Sequence, residues 1–368
     1  MTRIYFATNR NVKHETSKNA KNFGDRFNLQ GPQCFRVGRV DVALTGDPED
    51  DEAWEVGRCE LFPETLDSSM EQGAKLGSAA MFEELREFLS ENICDVLIYL
   101  HGFANDFPNT ARRAAALQHF YSRRARQLLV VMFSWPSNGE VLPRYQYFSD
   151  REDAEISGVA MARALKRFTE FLARIREEDR KVIHEHQREG KVPPPGLLKQ
   201  CDRKLHMVAH SMGNWALRHT LVKYADLMAG KVPRIFDHAF LMAADEDADA
   251  LAFTHKLGHL IDMANMVHVY HAADDRALQI SDLTKGNPDR LGSDGPASFD
   301  PLPERVIAVD CEKTSFTETE HGNHQYYRLR PEVIDDVLAT LRDTSQEGRR
   351  GRTEVRPGRS WRLKRARG

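Results

Sequence analysis

Cysteine is scarce and badly spaced for chemistry. The 368 residues hold five, at 34, 59, 94, 201 and 311, an odd number with no C-x-x-C pair. That excludes a disulfide framework and a zinc ribbon, and it predicts reduced thiols in a cytoplasmic protein. Cys94 and Cys311 adjoin strand-like runs and read as small core hydrophobes. Long apolar runs are missing too. The longest, Leu128 to Phe133, has six residues, whereas a membrane-spanning helix needs about 20. The opening Met1-Thr2-Arg3-Ile4-Tyr5-Phe6-Ala7-Thr8-Asn9-Arg10 has no apolar stretch behind a basic start, so no secretory signal is expected. No internal repeat is found, which excludes a solenoid or propeller. Metal-ligand spacing is absent as well. His184 and His186 stand two apart on a charged stretch, and Asp245-Glu246-Asp247 lacks flanking histidines. No metal and no organic cofactor is expected.

Nor is there a charge excess of one sign. The chain carries 52 Lys/Arg and 55 Asp/Glu, a net charge of −3. The balance hides an asymmetry. Residues 344–368 hold nine Lys/Arg and two Asp/Glu, which leaves a body of 43 basic and 53 acidic residues. A uniformly basic nucleic-acid binder is therefore excluded. The tail has little apolar content beyond Val355, Trp361 and Leu363, so it is expected to be a disordered basic extension. The plain reading is a solvated segment; the sharper one is an arm for an anionic surface such as lipid head groups or RNA.

What is present is a globular composition, 41% apolar, with β-rich runs alternating with helical patterns. The strand-like runs are Ile4–Thr8, Phe35–Leu44, Asp95–Leu100, Leu128–Ser134, Lys204–Ala209, His238–Ala243, Met266–His271 and Arg305–Asp310. From Asp95 onward they are continuously apolar, as in a parallel sheet covered on both faces. Val159, Ala162, Leu165, Phe168, Leu172 and Ile175 recur at helical spacing, as do Leu217, Leu221, Tyr224 and Met228. Val333, Ile334, Val337, Leu338 and Leu341 repeat the pattern behind Pro331. The alternation predicts an open, doubly wound, mostly parallel α/β sheet with an N-terminal β-rich extension. One domain is expected over residues 1–343, with residues 136–158 as a cap segment and 176–200 as a charged inserted excursion. Residues 13–31 and 281–303 read as loops.

One string carries the chemistry. In Leu205-His206-Met207-Val208-Ala209-His210-Ser211-Met212-Gly213-Asn214 a strand runs into Ser211 and a helix follows. A serine on so sharp a turn projects its hydroxyl, and small residues must flank it two positions either side. Ala209 and Gly213 meet that need. A serine needs a base, and the base needs an acid to orient it. In this elbow they follow in the order Ser, Asp, His. The acid is best placed at Asp275, with Asp245 and Asp274 in reserve. The base must follow the last strand, where His324 is favoured and His321 is the reserve; His210, beside the serine, is a weaker contender. The oxyanion donors are expected to be the backbone N–H groups of Met212 and of Phe103, which ends the turn Leu100-His101-Gly102-Phe103. Trp135, Tyr145, Tyr147 and Phe148 are placed to line an acyl pocket, while Asp150-Arg151 and Asp245-Glu246-Asp247 read as structural ion-pair formers.

At these residues the chain resembles the serine α/β-hydrolase superfamily, and more closely a bacterial esterase/lipase-like α/β-hydrolase family catalogued as a domain of unknown function. The matching pieces run from Phe6-Ala7-Thr8-Asn9-Arg10 and Phe23-Gly24 through Leu100-His101-Gly102-Phe103, Phe133-Ser134-Trp135-Pro136-Ser137 and Tyr147-Phe148-Ser149-Asp150-Arg151. They continue with Ala209-His210-Ser211-Met212-Gly213, Ala243-Ala244-Asp245-Glu246-Asp247, Asp275-Arg276-Ala277-Leu278, Arg290-Leu291-Gly292 and His324. The resemblance implies a catalytic Ser211, Asp275 and His324 and no agreed natural substrate. The expected reaction is cleavage of a small-molecule carboxylic ester, with thioesters and amides as neighbours. The alternatives are acyl transfer by the same residues, or a non-catalytic scaffold acting through the basic tail.

Overall fold

The computed structural model describes all residues except 15–16, 66–74, 93, 123–126, 141–143, 194–202, 279–288, 315–321, 343–350 and 366–368. The apolar runs become the middle of one large sheet. Its strands are β1 (Thr2–Thr8), β4 (Arg36–Leu44), β5 (Trp54–Leu61), β6 (Cys94–Leu100), β7 (Gln127–Ser134), β8 (Leu205–His210), β9 (Phe236–Met242), β10 (Ala264–His271), β11 (Val306–Asp310), β12 (Arg352–Arg356) and β13 (Ser360–Leu363). A separate two-stranded ribbon pairs β2 (Arg10–Val12) with β3 (Phe23–Phe27). Every strand-like run of the sequence is a strand.

The order across the sheet is β12-β13-β11-β10-β9-β8-β6-β7-β1-β4-β5. From β1 to β13 all pairings are parallel. Only β4, β5 and β12 at the two edges run antiparallel to their neighbours. Among the described residues, five longer helices cover the two faces: α1 (Gly77–Glu91), α2 (Phe107–Tyr121), α3 (Arg144–Arg188), α4 (Gly213–Leu227) and α5 (Pro331–Leu341). The core accordingly divides in two. Residues such as Leu100, Phe133, Met207 and Leu241 pack on one side with α1, α3 and α4. Val130, Val208, Phe240 and Tyr270 pack on the other with α2 and α5. Successive strand residues go to opposite faces, and both faces are buried, which is why these strands read as unbroken apolar runs.

After β6 the chain winds to β7 on one side, then returns to β8 on the other. The order reverses between β6 and β8, the place where open α/β sheets carry their sites at the C-terminal ends of the strands. Both chemistry-bearing loops of the sequence end there.

Four expectations need correction. The tail is not simply disordered: β12 and β13 form a hairpin that extends the sheet beyond β11. Trp361 and Leu363 alternate inward and are buried. Four of its arginines are committed to the fold. Arg352 makes a two-pronged pair with buried Asp336 at 2.6 Å, Arg362 pairs with Asp310 at 2.6 Å, Arg356 with Asp300 at 3.1 Å, and Arg359 donates to the Leu302 carbonyl. The charge count saw nine cations and missed a period-two pattern four residues long. The excursion at 176–200 is helical as far as Arg188, because α3 runs on for 45 residues without a break; residues 194–202 lie outside the described set. The cap segment at 136–158 is the first part of that same helix from Arg144 onward. Residues 13–31, read as loop, contain β3.

Candidate active site

The turn after β8 is tight and strained. Ser211 has φ +54°, left-handed for a residue with a side chain. Its N–H donates to the Met242 carbonyl at 3.0 Å, and its carbonyl accepts from the N–H groups of Asn214 and Asp245. The buried Asn214 amide bonds the carbonyls of Ala209 and Ser211, both at 3.1 Å. Backbone strain persists only where the surroundings over-determine it, and here they do. Gly213 is required: a Cβ there would lie 2.6 Å from the Leu100 carbonyl and 2.7 Å from that of His101. The elbow and the loop after β6 are thus in backbone contact.

That second loop is held from within. The Trp135 N–H donates to His101 Nε2 at 3.2 Å, so His101 carries its proton on Nδ1 and donates it to the Gly102 carbonyl. The His101 ring stacks on Trp135, and burial pushes its pKa well below the usual histidine value. The Asn105 amide bonds the carbonyls of Gly102 and Phe103 at 3.0 and 2.7 Å. Among the described residues, the backbone N–H groups of Phe103 and Met212 meet no protein acceptor. A Cβ on Gly102 would come within 2.8 Å of the Ser211 Cβ. The loop therefore lies directly against the elbow.

The acid and base arrive from the far end of the sheet. Asp275 follows β10 and is fully buried. One carboxylate oxygen accepts from the N–H groups of Ala277 and Leu278, both at 3.1 Å; the other meets His324 Nδ1 at 2.7 Å. Asp275 thus caps the turn that holds it and binds the imidazole at once. The His324 loop is stapled on both sides. Gly322 O accepts from the Arg276 N–H at 3.0 Å, and Arg330 bonds Asn323 Oδ1 and the Cys311 carbonyl. The Tyr326 hydroxyl donates to Tyr270 O at 2.7 Å and accepts from the Ala243 N–H at 2.8 Å, tying the loop to β10 and to the end of β9.

His210 joins the two halves. Its ring centroid lies 4.7 Å from that of His324 and 4.4 Å from that of Tyr327. Its Nε2 donates to the His324 carbonyl at 3.0 Å. Burial, with His324 nearby, drives its pKa well below the ordinary value, so it is neutral and committed to holding His324. Its position next to the serine in sequence does not make it a base.

The reserve acids have other partners. Asp274 faces Arg330 at 3.8 Å. Asp245 accepts from the Tyr147 hydroxyl and sits in an ion network with Arg151 and Arg290 at 3.9 and 3.6 Å. Arg151 lies 3.4 Å over the Trp215 ring, and Arg218 pairs with Glu246 at 3.3 Å. The Asp245–Asp247 run is an ion-pair centre, as its composition suggests, and Asp150 instead bonds Ser137 and the Ala104 N–H. His321 lies outside the described residues. Of the expected pocket aromatics, Trp135 is fully buried packing. Tyr145 and Phe148 are exposed, and Tyr147 packs edge-on to both Phe103 and Phe148.

The sequence matches a family model described as "Alpha/beta hydrolase of unknown function (DUF900)" over residues 78–188 and 197–342. The chain belongs to that family. The two matched blocks carry all of the constellation: the first holds His101–Asn105 and Tyr147, the second Ser211, Asp275 and His324. The N-terminal strands and the C-terminal hairpin lie outside the DUF900 match. No curated protein matches the sequence. Among the described residues no group of three or more His, Cys, Asp or Glu is arranged to hold a metal ion, and no helix is long and apolar enough to cross a membrane.

Sequence reasoning gave no role to Arg10. Its guanidinium is buried and collects four bonds beneath the Phe103 loop. The available signal was the charge itself, an arginine two residues beyond an apolar strand.

Proposed function

We propose that the protein is a serine hydrolase of carboxylic esters working through an acyl-enzyme. The observations that carry the reading are the 2.7 Å contact of His324 Nδ1 with buried Asp275 and the 3.0 Å bond from His210, the neighbour of a serine held at positive φ, to the His324 carbonyl. Asp275 accepts a hydrogen bond from Nδ1–H, which keeps the proton on that nitrogen and leaves Nε2 of His324 with a lone pair for the Ser211 hydroxyl. Ser211 Oγ attacks the acyl carbon as Nε2 takes its proton. The N–H groups of Phe103 and Met212 receive the oxyanion, each worth about 10²–10³ in turnover. The tetrahedral intermediate collapses, and the alcohol leaves with the proton from His324. Water then repeats the sequence with His324 as base and frees the acid. The imidazolium formed in each half is stabilised by the Asp275 carboxylate.

The Phe103–Tyr147–Phe148 aromatic path leads outward from the oxyanion loop and suits an uncharged, apolar group of the ester. A reducing, cytoplasmic setting belongs to the same reading, on the odd number and wide spacing of the cysteines in the sequence. The test is pre-steady-state: mixing the protein with a p-nitrophenyl ester releases a burst of nitrophenol equal to the enzyme concentration. Ser211→Ala gives no burst. A wild type with no turnover on any ester of a chain-length series, or an equal burst in the variant, overturns the reading.

A further inference from the structure

We infer that Arg10 is a positioning residue for the oxyanion site, acting through the backbone of the Gly102–Asn105 loop. The inference rests on the catalytic reading above and adds a residue from outside the family-matched segments to it. Arg10 is 1% exposed. It gives one bond each to four separate places: Nε to Ser134 Oγ at 2.8 Å, Nη1 to the carbonyls of Ser137 at 2.9 Å and Gly24 at 3.0 Å, and Nη2 to the Asn105 carbonyl at 2.7 Å. One rigid, planar fork thereby fixes the end of β7, the chain after it, the β2–β3 ribbon and the Phe103 loop relative to one another.

The link from Arg10 to the oxyanion donor can be followed atom by atom. Arg10 holds the Asn105 backbone. The Asn105 side chain holds the Gly102 carbonyl at 3.0 Å, and His101 Nδ1 holds the same oxygen at 2.9 Å. The peptide joining Gly102 to Phe103 is planar and trans, so its N–H points opposite to that carbonyl. Fixing the Gly102 oxygen therefore fixes the direction of the Phe103 N–H. A second strut comes from α3. Asp150 accepts from the Ala104 N–H at 3.3 Å and from Ser137 Oγ, whose own oxygen accepts from the Asn105 N–H at 3.0 Å. The loop is thus gripped on both sides of Ala104, which sits at φ +55°.

The arrangement is expensive for mere packing. Burial pulls the Arg10 pKa down to about 10, even with Asp106 and Asp150 opposing it. An apolar side chain of similar length would fill the space without desolvating a charge. What it could not do is hold three carbonyls and a hydroxyl in one plane. Oxyanion donors act only when aimed at the atom where charge develops, and a misplacement of about 1 Å costs up to about 10²-fold in rate.

The experiment compares wild type, Arg10→Lys and Asp150→Asn on one p-nitrophenyl ester, and measures inhibition by an alkyl boronic acid. The boronate adduct of a serine is tetrahedral and anionic, so its affinity reports the oxyanion donors. In folded Arg10→Lys, kcat falls about 10- to 100-fold, KM stays within about twofold, and the boronate Ki weakens by the same factor as kcat. A purely structural role would lower the melting temperature without this matched loss. Folded Arg10→Lys with kcat and boronate Ki unchanged overturns the proposal. Should Arg10→Lys not fold, Arg10→Met, which fills the space without a charge, takes its place with the same two outcomes, and Asp150→Asn reports the second strut alone. Ser211→Ala is the control: full turnover there removes the serine reading and this proposal together. An inactive Ser211→Ala beside an unaffected Arg10→Lys removes this proposal alone.

Discussion

Asp275 shows how one side chain does two jobs. Its Oδ1 caps the turn before Leu278, and its Oδ2 orients His324. Asn in its place keeps the size and a cap acceptor but presents an amide to Nδ1. The ring is then driven to the wrong tautomer, with its proton on the nitrogen that must accept from serine. Loss of about 10⁴-fold in kcat is the expected outcome for Asp275→Asn, with folding retained. Asp274→Asn leaves kcat within a few-fold, because that carboxylate faces Arg330 and not the imidazole. Steady-state hydrolysis of one ester by the two variants checks both. Inversion of the order would move the acid to Asp274. The sequence narrowed this choice without deciding it. Asp274 and Asp275 are adjacent, each begins a turn after the same strand, and only the direction of a side chain separates them. His324 was easier, since few histidines follow the last apolar run. Arg10 was not legible as functional, because its role depends on carbonyls contributed by residues up to 127 positions away.

At the scale of elements, the sheet was legible and its edges were not. Strands buried on both faces announce themselves by continuous apolar runs. Edge strands carry polar and charged residues on one face, so Trp54–Leu61 was not recognised as a strand and Arg352–Arg356 passed for tail. The hairpin β12–β13 makes a checkable claim. Trp361 is 7% exposed and Leu363 is 1% exposed. Trp361→Ala removes a large buried ring from the sheet margin and should cost about 3–5 kcal/mol, read as a lowered denaturant midpoint at constant slope. A truly disordered tail predicts no change in midpoint. Long α3 is the other element the sequence under-read. Its early turns carry Tyr147, Asp150 and Arg151, which contact the site. Its later turns are so charged that the apolar stripe fades, and the change in composition looked like an insertion.

For the molecule as a whole, buried ionisable groups set the response to pH. Glu246 is almost fully inaccessible, and burial raises its pKa to about 7 although Arg218 and Arg151 pull it down. Its folded value exceeds its unfolded value, so the folded chain holds this proton more tightly. Stability from that proton is fully present below pH about 4.5 and is lost as pH rises to about 7. Glu246→Gln lacks this titration. The stability of wild type relative to the variant should fall by on the order of 3 kcal/mol across that window and then level off. Urea unfolding at pH 5, 6, 7 and 8 measures it; a pH-independent difference contradicts the assignment. His101 and His210 act in the opposite direction. Both are held neutral by burial, so acidification favours the unfolded chain, where they can take up protons.

The whole account turns on the reactivity of one hydroxyl. The most direct measurement is labelling with a fluorophosphonate, followed by peptide mass mapping. We predict a single adduct on Ser211 in the wild type, none in Ser211→Ala, and labelling slowed by orders of magnitude in His324→Ala. An adduct elsewhere, or equal labelling of all three proteins, would contradict it.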